Sequence, residues 1–269
     1  IALTGDIPDK TFGELLERYL QEVVPSHRGW RKDGVRIRRA FHDPIAEVNL
    51  CLMDSRTVAA WRDRRLAQVS AATCRREWNL LAAACNVAVR EWRWLRENPF
   101  VGVKRPEAPE HRDRLVSEDE LYALETVAVE PIQIKVLAIT RWALETGMRS
   151  GEILGLTHAD VDLERRVARL ERTKNGTRRE VPLSAEACRL WREHGSFQIS
   201  DGARDVEWRK MCQAAKLVDL HFHDLRHTAI TRLAKKLHVL DLARMVGIRD
   251  LKVLNIYYNE RAEDIALRL

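Results

Sequence analysis

Apolar residues at Phe12, Leu15, Leu16, Tyr19 and Val23 recur at i, i+3, i+4 and i+7, which predicts an amphipathic helix from residue 11 to about 24, stopped before Pro25. An Arg-rich stretch over 32–43 predicts a second helix, and residues 56 to about 69 a third. Trp78, Leu81, Cys85, Ala88, Trp92 and Leu95 then step by three and four through a long fourth helix. Asn98-Pro99 ends it, because the residue before proline is pushed out of the helical region. From Pro99 to Arg114 come two further prolines, charges of both signs and no apolar period, the signature of a linker. The chain thus divides into an all-helical module (1–105), a linker (106–113) and a second domain (114–269). That domain opens on Ser117-Glu118-Asp119-Glu120, a capping box in which hydroxyl and carboxylate satisfy orphan helix donors reciprocally. A helix over 131–145 and a turn at Thr146-Gly147 follow. Alternating runs over 167–171 and 178–183 flank Thr173-Lys174-Asn175-Gly176, and Asn-Gly in that setting predicts a tight hairpin, the one β element expected. Helix resumes near 185 and continues to the end, with breaks near 194–205, 219–223 and Gly247.

With 269 residues, 45% of them apolar, and a mean hydropathy of −0.36, the chain can fill real cores, which excludes disorder as its main state. The longest nearly apolar run, 80–89, is half the ~20 residues a membrane span requires, and no secretory leader opens the sequence, so a soluble, unexported chain is expected. Five widely spaced cysteines without a CxxC exclude a disulfide framework and a zinc ribbon; small core residues in a reducing compartment are expected instead. The net charge of +6 is too mild to separate a nucleic-acid binder from an ordinary basic enzyme. The kind of cation says more: 36 of the 46 are Arg, whose fork grips phosphate with two donors. Residues 1–113 carry 20 cations and 16 anions, and residues 114–269 carry 26 and 24. The basic runs of the first module are Arg28, Arg31, Lys32, Arg36, Arg38 and Arg39, then Arg62, Arg64 and Arg65, then Arg75 and Arg76. Each is either a solvated helix face or a set of phosphate contacts.

Four patterns in the second domain bear functional groups: Thr146-Gly147-Met148-Arg149-Ser150-Gly151-Glu152, Thr173-Lys174-Asn175-Gly176, His223-Asp224-Leu225-Arg226-His227-Thr228, and Tyr257-Tyr258. Taken singly, they read as a surface Arg, a hairpin Lys, a polar helix face and a core aromatic on the last long helix. In this order and at these spacings they resemble the tyrosine recombinases, the phage-integrase family. The resemblance covers essentially the whole chain, since a four-helix basic module before a mostly helical catalytic domain is also that family's arrangement. It implies a mainly α fold, with an N-terminal four-helix, SAM-like core-binding domain and a catalytic domain holding a small antiparallel β-sheet.

The chemistry implied by the resemblance is physically coherent. A phosphodiester attacked in line gathers charge on its non-bridging oxygens, which fixed guanidinium forks, here Arg149 and Arg226, stabilise without reorganisation. A phenol of pKa near 10 needs neighbouring cations or a base to act as nucleophile, and His223 has the intrinsic pKa to assist. Lys174 would protonate the leaving 5′ oxygen as general acid. Glu152 would orient the surrounding cations and histidine. Tyr257 rather than Tyr258 is the expected nucleophile, because the family's terminal motif places Tyr nine residues after a Gly-His, and nine residues lead from Ile248 to Tyr257. Ile248 departs from the usual His or Trp and offers no donor to a phosphate oxygen, so an impaired rather than a dead enzyme is expected. No metal is expected, since His221, His223 and His227 lack a Cys or carboxylate at the spacing of tetrahedral zinc. No other cofactor is expected either: the chain has no GxxxxGK[ST] loop for ATP, and exchanging a phosphodiester for a phosphotyrosyl ester needs no fuel.

The expected partners are double-stranded DNA, contacted by Arg31, Lys32, Arg36, Arg38, Arg39, Arg75 and Arg76, and further copies of the chain in a homo-tetramer on two DNA sites. A host DNA-bending protein is the accessory partner to look for, and no membrane is involved. The expected setting is the cytoplasm, at the nucleoid, for a bacterial or phage-encoded chain. Residues 261–269 are the segment left for docking on a neighbour, and Ile1 in place of an initiator Met leads us to expect a trimmed chain. Two other readings stay open: a type IB-like topoisomerase, which rejoins the same strand, and a DNA-binding relative that has lost catalysis.

Overall fold

The Thr11 hydroxyl accepts from the Glu14 N–H (3.2 Å) while the Glu14 carboxylate accepts from the Thr11 N–H (2.8 Å), and this capping box starts helix α1 (Phe12–Glu22). The structure, a computed structural model, describes residues 7–108, 112–171, 178–258, 263 and 266. The chain forms two compact units, Ile1–His111 and Arg112–Leu269. In the first, α1 buries the predicted stripe of Phe12, Leu15, Leu16 and Tyr19, and α2 (Trp30–Ala40) and α3 (Ser55–Leu66) follow. Helix α4 (Ala71–Val87) widens into a π-helical stretch over Ala88–Trp92 and stops at Arg93, whose φ of 60° is left-handed. The end expected at Asn98-Pro99 is therefore too late. In an unbroken α-helix Trp92 and Trp94 would point about 200° apart. With left-handed Arg93 between them their rings lie 5.6 Å apart, and the Arg18 guanidinium stacks on both at 4.5 and 4.8 Å. Phe100 packs edge-on against Trp78 (4.8 Å) and Trp61 (6.1 Å), so the chain just after Pro99, which reads as the start of a linker, is part of the core.

In the second unit, α5 (Glu118–Val127) starts at the predicted capping box, and α6 (Pro131–Thr146) ends at Gly147, φ +61°. Buried α6 is the axis of this unit: it packs against α8 (Ala185–His194), α9 (Asp201–Ala214) and α10 (Phe222–Ala234), and its Trp142 meets Trp191 and Phe197 at 5.3 and 5.9 Å. Short α7 (Ser150–Leu154) leads to three antiparallel strands in the order β1 (Val161–Asp162), β2 (Val167–Leu170), β3 (Arg179–Pro182), with Ala168 opposite both Val161 and Val181. The predicted hairpin is β2–β3, and its turn Thr173-Lys174-Asn175-Gly176 lies outside the described residues. β1 adds to the one β element expected; two residues are too short to show alternation. Helix α11 (Val239–Val246) ends at Gly247, φ +68°. Asp250 then accepts from the Lys252 N–H (2.9 Å) to start the four-residue α12 (Leu251–Leu254), followed by a 3₁₀ turn, Asn255–Tyr257. The last long helix expected to carry Tyr257 is thus two short pieces. The mostly helical fold with a small antiparallel sheet is the one expected, and no described helix is long and apolar enough to cross a membrane.

Phe100→Ala should destabilise the first unit by about 3–5 kcal/mol, because it empties the space between two indoles. Urea unfolding followed by Trp fluorescence checks this, and an unchanged midpoint contradicts the packing role.

Candidate active site

Arg226, in the second turn of α10, is 6% exposed. Its Nη1 donates to the Gly147 carbonyl and its Nη2 to the Val246 carbonyl (2.7 Å). Both acceptors lie at helix C-termini, where carbonyls lack intrahelical partners and the macrodipole is negative. One guanidinium therefore ties α6, α10 and α11 together. Burial, then the charge of Arg149, pulls its pKa down to about 10, which leaves it charged at neutral pH.

Arg149 is the N-cap of α7 and half-buried. Its N–H (2.8 Å) and Nη1 (3.0 Å) donate to the Glu152 carboxylate. The same carboxylate takes the fork of Arg179, Nη1 to Oε1 at 2.8 Å and Nη2 to Oε2 at 2.6 Å, while Arg179 Nε donates to the Met245 carbonyl (3.0 Å). Burial pushes the Glu152 carboxyl up, but the bonds from Arg179 and the Arg149 amide outweigh it and hold the group below its ordinary range. Arg179 escaped the sequence reading. The available signal was its place two residues before buried Val181, on the inward side of β3, where a charge demands a partner.

His223, in the first turn of α10, shares a cavity of about 720 Å³ with Arg149, Arg226, Met148, Trp208 and Phe222. Desolvation, then the Arg226 charge, holds its pKa below the ordinary imidazole value, so it is neutral at pH 7 and able to accept a proton. Asp224 fixes the start of this helix: its carboxylate accepts from the His221 N–H (2.8 Å) and from the Arg112 fork (2.7 and 2.8 Å). Arg112 belongs to the stretch that reads as linker, and its role was not legible there.

Tyr257 is half-buried, with its ring 4.9 Å from that of His227. Burial raises its pKa and the Arg226 charge opposes part of the rise, so the phenol is protonated at neutral pH. Tyr258 lies past the 3₁₀ turn, and its hydroxyl donates to the Leu237 carbonyl (3.1 Å). Ile248 is half-buried in a different cleft, beside Arg179, Leu240, Ala243 and Leu251. Lys174 lies outside the described residues.

In the first unit, Arg36 pairs with Asp33 (3.1 Å), Arg39 with Glu77 (3.4 Å), and Arg75 donates to the Pro106 carbonyl (2.6 Å). Arg31 stacks on Trp30 (4.9 Å), and Lys32, Arg38 and Arg76 are exposed. The densest run turns to the fold: Arg62 donates to the Lys104 carbonyl (2.7 Å), Arg64 pairs with Asp43 (2.6 Å), and Arg65 forks onto buried Glu77 (2.6 and 2.9 Å).

The phage integrase family model matches residues 114–264. A putative integrase/recombinase of Haemophilus influenzae is 32% identical over 96% of this chain and 90% of its own length. A shufflon-specific DNA recombinase of Escherichia coli is 34% identical over 94% of this chain and 70% of its own. Among solved structures, the Tn1549 transposon integrase (residues 82–397) in complex with circular intermediate DNA superposes with a TM-score of 0.78 at 17% identity, covering 96% of this chain and 98% of that one. A lambda integrase tetramer bound to a Holliday junction gives 0.74 at 17% identity, covering 93% and 77%.

At Gly247 an added Cβ would stand 2.9 Å from Arg179 Nη1 and 3.1 Å from its Cζ, on a backbone that L side chains rarely adopt. Gly247→Ala should therefore cost about 1–3 kcal/mol of stability, read as a lowered urea midpoint; an unchanged midpoint contradicts the close approach.

Proposed function

We propose, from the premise that the chain belongs to the phage integrase family, that it cuts and rejoins DNA at specific sites through a 3′-phosphotyrosyl link on Tyr257. Membership makes it a DNA strand-transferring enzyme of site-specific recombination; the assignment of roles to residues is our own. The observation that carries it is the convergence of Arg149, Arg226 and His223 on one cavity, with the Tyr257 ring packed on His227 of the same helix α10. In the reaction, Tyr257 Oη attacks phosphorus as its proton leaves to His223, and the bond from phosphorus to the 5′ oxygen breaks. Arg149 and Arg226 hold the non-bridging oxygens as charge grows on them. Lys174 supplies the proton to the leaving oxygen. A 5′-hydroxyl from a partner duplex then attacks the phosphotyrosyl phosphorus and releases the phenol. Each step exchanges one phosphate ester for another, so no ATP is needed to drive it, and Arg149 and Arg226 carry the charge stabilisation that a metal would otherwise supply.

The lambda integrase tetramer on a Holliday junction supports a homo-tetramer on two sites for this chain as well. A host DNA-bending protein would assist assembly, at the nucleoid of a bacterial cell. Lys32, Arg38 and Arg76 would meet the DNA backbone directly, and Arg31, Arg36, Arg39 and Arg75 would do so from their pairings in the fold.

DNA fragments selected from random sequence, then nicked near the cleavage point, should trap a covalent adduct that Tyr257→Phe abolishes. An adduct that survives in Tyr257→Phe and vanishes in Tyr258→Phe moves the nucleophile, and no adduct from the wild type sinks the reading. Strand exchange between two labelled duplexes separates a recombinase from a topoisomerase that reseals its own strand. In the chain without DNA Ile248 lines the cleft beside Arg179 rather than the Arg149 cavity; a His there is expected to turn to the phosphate once DNA is bound, so Ile248→His should speed cleavage about 10- to 100-fold, the worth of one hydrogen bond to a charged group. An unchanged rate there shows that the position carries no phosphate contact.

A further inference from the structure

We infer that Arg179 is a positioning residue for strand cleavage: by occupying both oxygens of Glu152 and the Met245 carbonyl, it keeps the Arg149 fork free for phosphate and in register with Arg226. The inference rests on the reading of Tyr257 chemistry above.

Glu152 is a nearly buried carboxylate, 8% exposed, and two guanidiniums compete for it. A carboxylate facing one Arg is ordinarily taken by the full fork. Here Arg179 takes both oxygens, at 2.8 and 2.6 Å, and Arg149 is left with one side-chain bond, Nη1 to Oε1. Among the described residues its Nε and second amino group have no other partner and stand available to a ligand, on the wall of the cavity that His223 and Arg226 share. Without Arg179, the Arg149 side chain would be drawn wholly onto Glu152 and away from that cavity. The third donor of Arg179, Nε, reaches the Met245 carbonyl at 3.0 Å, and the next carbonyl, of Val246, accepts from Arg226. Two consecutive carbonyls at the end of α11 therefore reference both phosphate-binding arginines to the segment that leads from Gly247 to Tyr257. A Lys at 179 would keep the charge and lose the geometry, because a single ammonium cannot hold two carboxylate oxygens and a carbonyl in one plane.

The test uses the full chain and the nicked substrate, with DNA affinity measured by mobility shift and the cleavage rate measured in single turnover at saturating protein. Arg179→Met should lower the saturated rate on the order of 100-fold, the size of one lost oriented charge contact, with affinity within about threefold. Arg179→Lys should fold and still fall at least about 10-fold short of the wild-type rate. In an Arg149→Lys background the further loss from Arg179→Met should shrink to a few-fold, since residues acting as one unit are not additive. A wild-type rate in Arg179→Lys, additive losses in the double variant, or a loss confined to affinity overturns the inference. If Arg179→Met fails to fold by circular dichroism, Arg179→Lys decides alone. Wild-type protein that forms a Tyr257 adduct alongside a fully active Arg179→Lys defeats this inference only, whereas absence of that adduct defeats the proposed function itself.

Discussion

A guanidinium cannot shed its charge, and a buried one presents five N–H donors that the chain must meet with acceptors. In the second unit two such groups govern the rest: Arg226 is met by the carbonyls of Gly147 and Val246, Arg179 by Glu152 and the Met245 carbonyl. Three of these four acceptors are carbonyls at the ends of α6 and α11, so those helices must stop where they do. Both stop on a glycine of positive φ. A Cβ on Gly147 would crowd Val246 Cγ1 at 3.3 Å, and one on Gly247 would strike the Arg179 guanidinium. Two turns, two guanidiniums and one carboxylate thus specify one another. Removing one partner of such a buried pair leaves an uncompensated charge, which typically costs about 3–5 kcal/mol.

The same arrangement leaves the site electrically unbalanced. Arg149, Arg179 and Arg226 surround a single buried carboxylate, and the lowered pKa of Arg226 records first its burial and then the repulsion from Arg149. The helix-end carbonyls soften this, since the C-terminus of a helix carries roughly half a negative charge. They do not cancel it. A phosphodiester adds one negative charge at the place where the excess lies, and the transition state for its attack concentrates more charge on the same oxygens. On the proposed reading, the free protein would hold an electrostatic strain that DNA relieves in part and the reacting phosphate further, which is the ordering a catalyst requires.

Local features were legible in the sequence, and long-range pairings were not. The stripe of α1, the capping box at Ser117, the glycine stops at 147 and 247 and the β2–β3 pair all follow from spacings within a few residues, and the structure places them accordingly. Arg149, Glu152, His223, Arg226 and Tyr257 stood out as candidates because their types and order match a known pattern. Arg179 and Arg112 were missed because their meaning lies in partners 27 and 112 residues away, and no periodicity encodes that. For Arg62, Arg64 and Arg65, two physical outcomes, solvated face or phosphate contact, fit the sequence, and a third holds in the structure: a carbonyl, Asp43 and buried Glu77 take them. Helix lengths failed at the ends of both units for a shared reason. Apolar spacing continues past Trp92 and past Gly247, but a left-handed residue at Arg93 and a fresh N-cap at Asp250 break the backbone where side-chain pattern alone does not.

The break after Gly247 bears on how Tyr257 is held. A four-residue helix and one 3₁₀ turn have no stability of their own, since nucleating a helix costs more than so few hydrogen bonds return. The position of Tyr257 must then come from what its neighbours pack on. Leu254 is fully buried, the Tyr258 hydroxyl is tied to the Leu237 carbonyl, and the Tyr257 ring lies on His227 of α10. The arginines, by contrast, are fixed through charged bonds to backbone and carboxylate in the interior. The half of the site that would grip phosphate is therefore built into the fold, while the half that would attack it is held by packing around Leu254 and Tyr257 and by the Tyr258 hydrogen bond, with a phenol that burial keeps protonated. The guanidiniums and the phenol are thus set by separate interactions, and on the proposed reading the phenol would gain a reason to lose its proton only once a phosphate and a neutral His223 stood beside it.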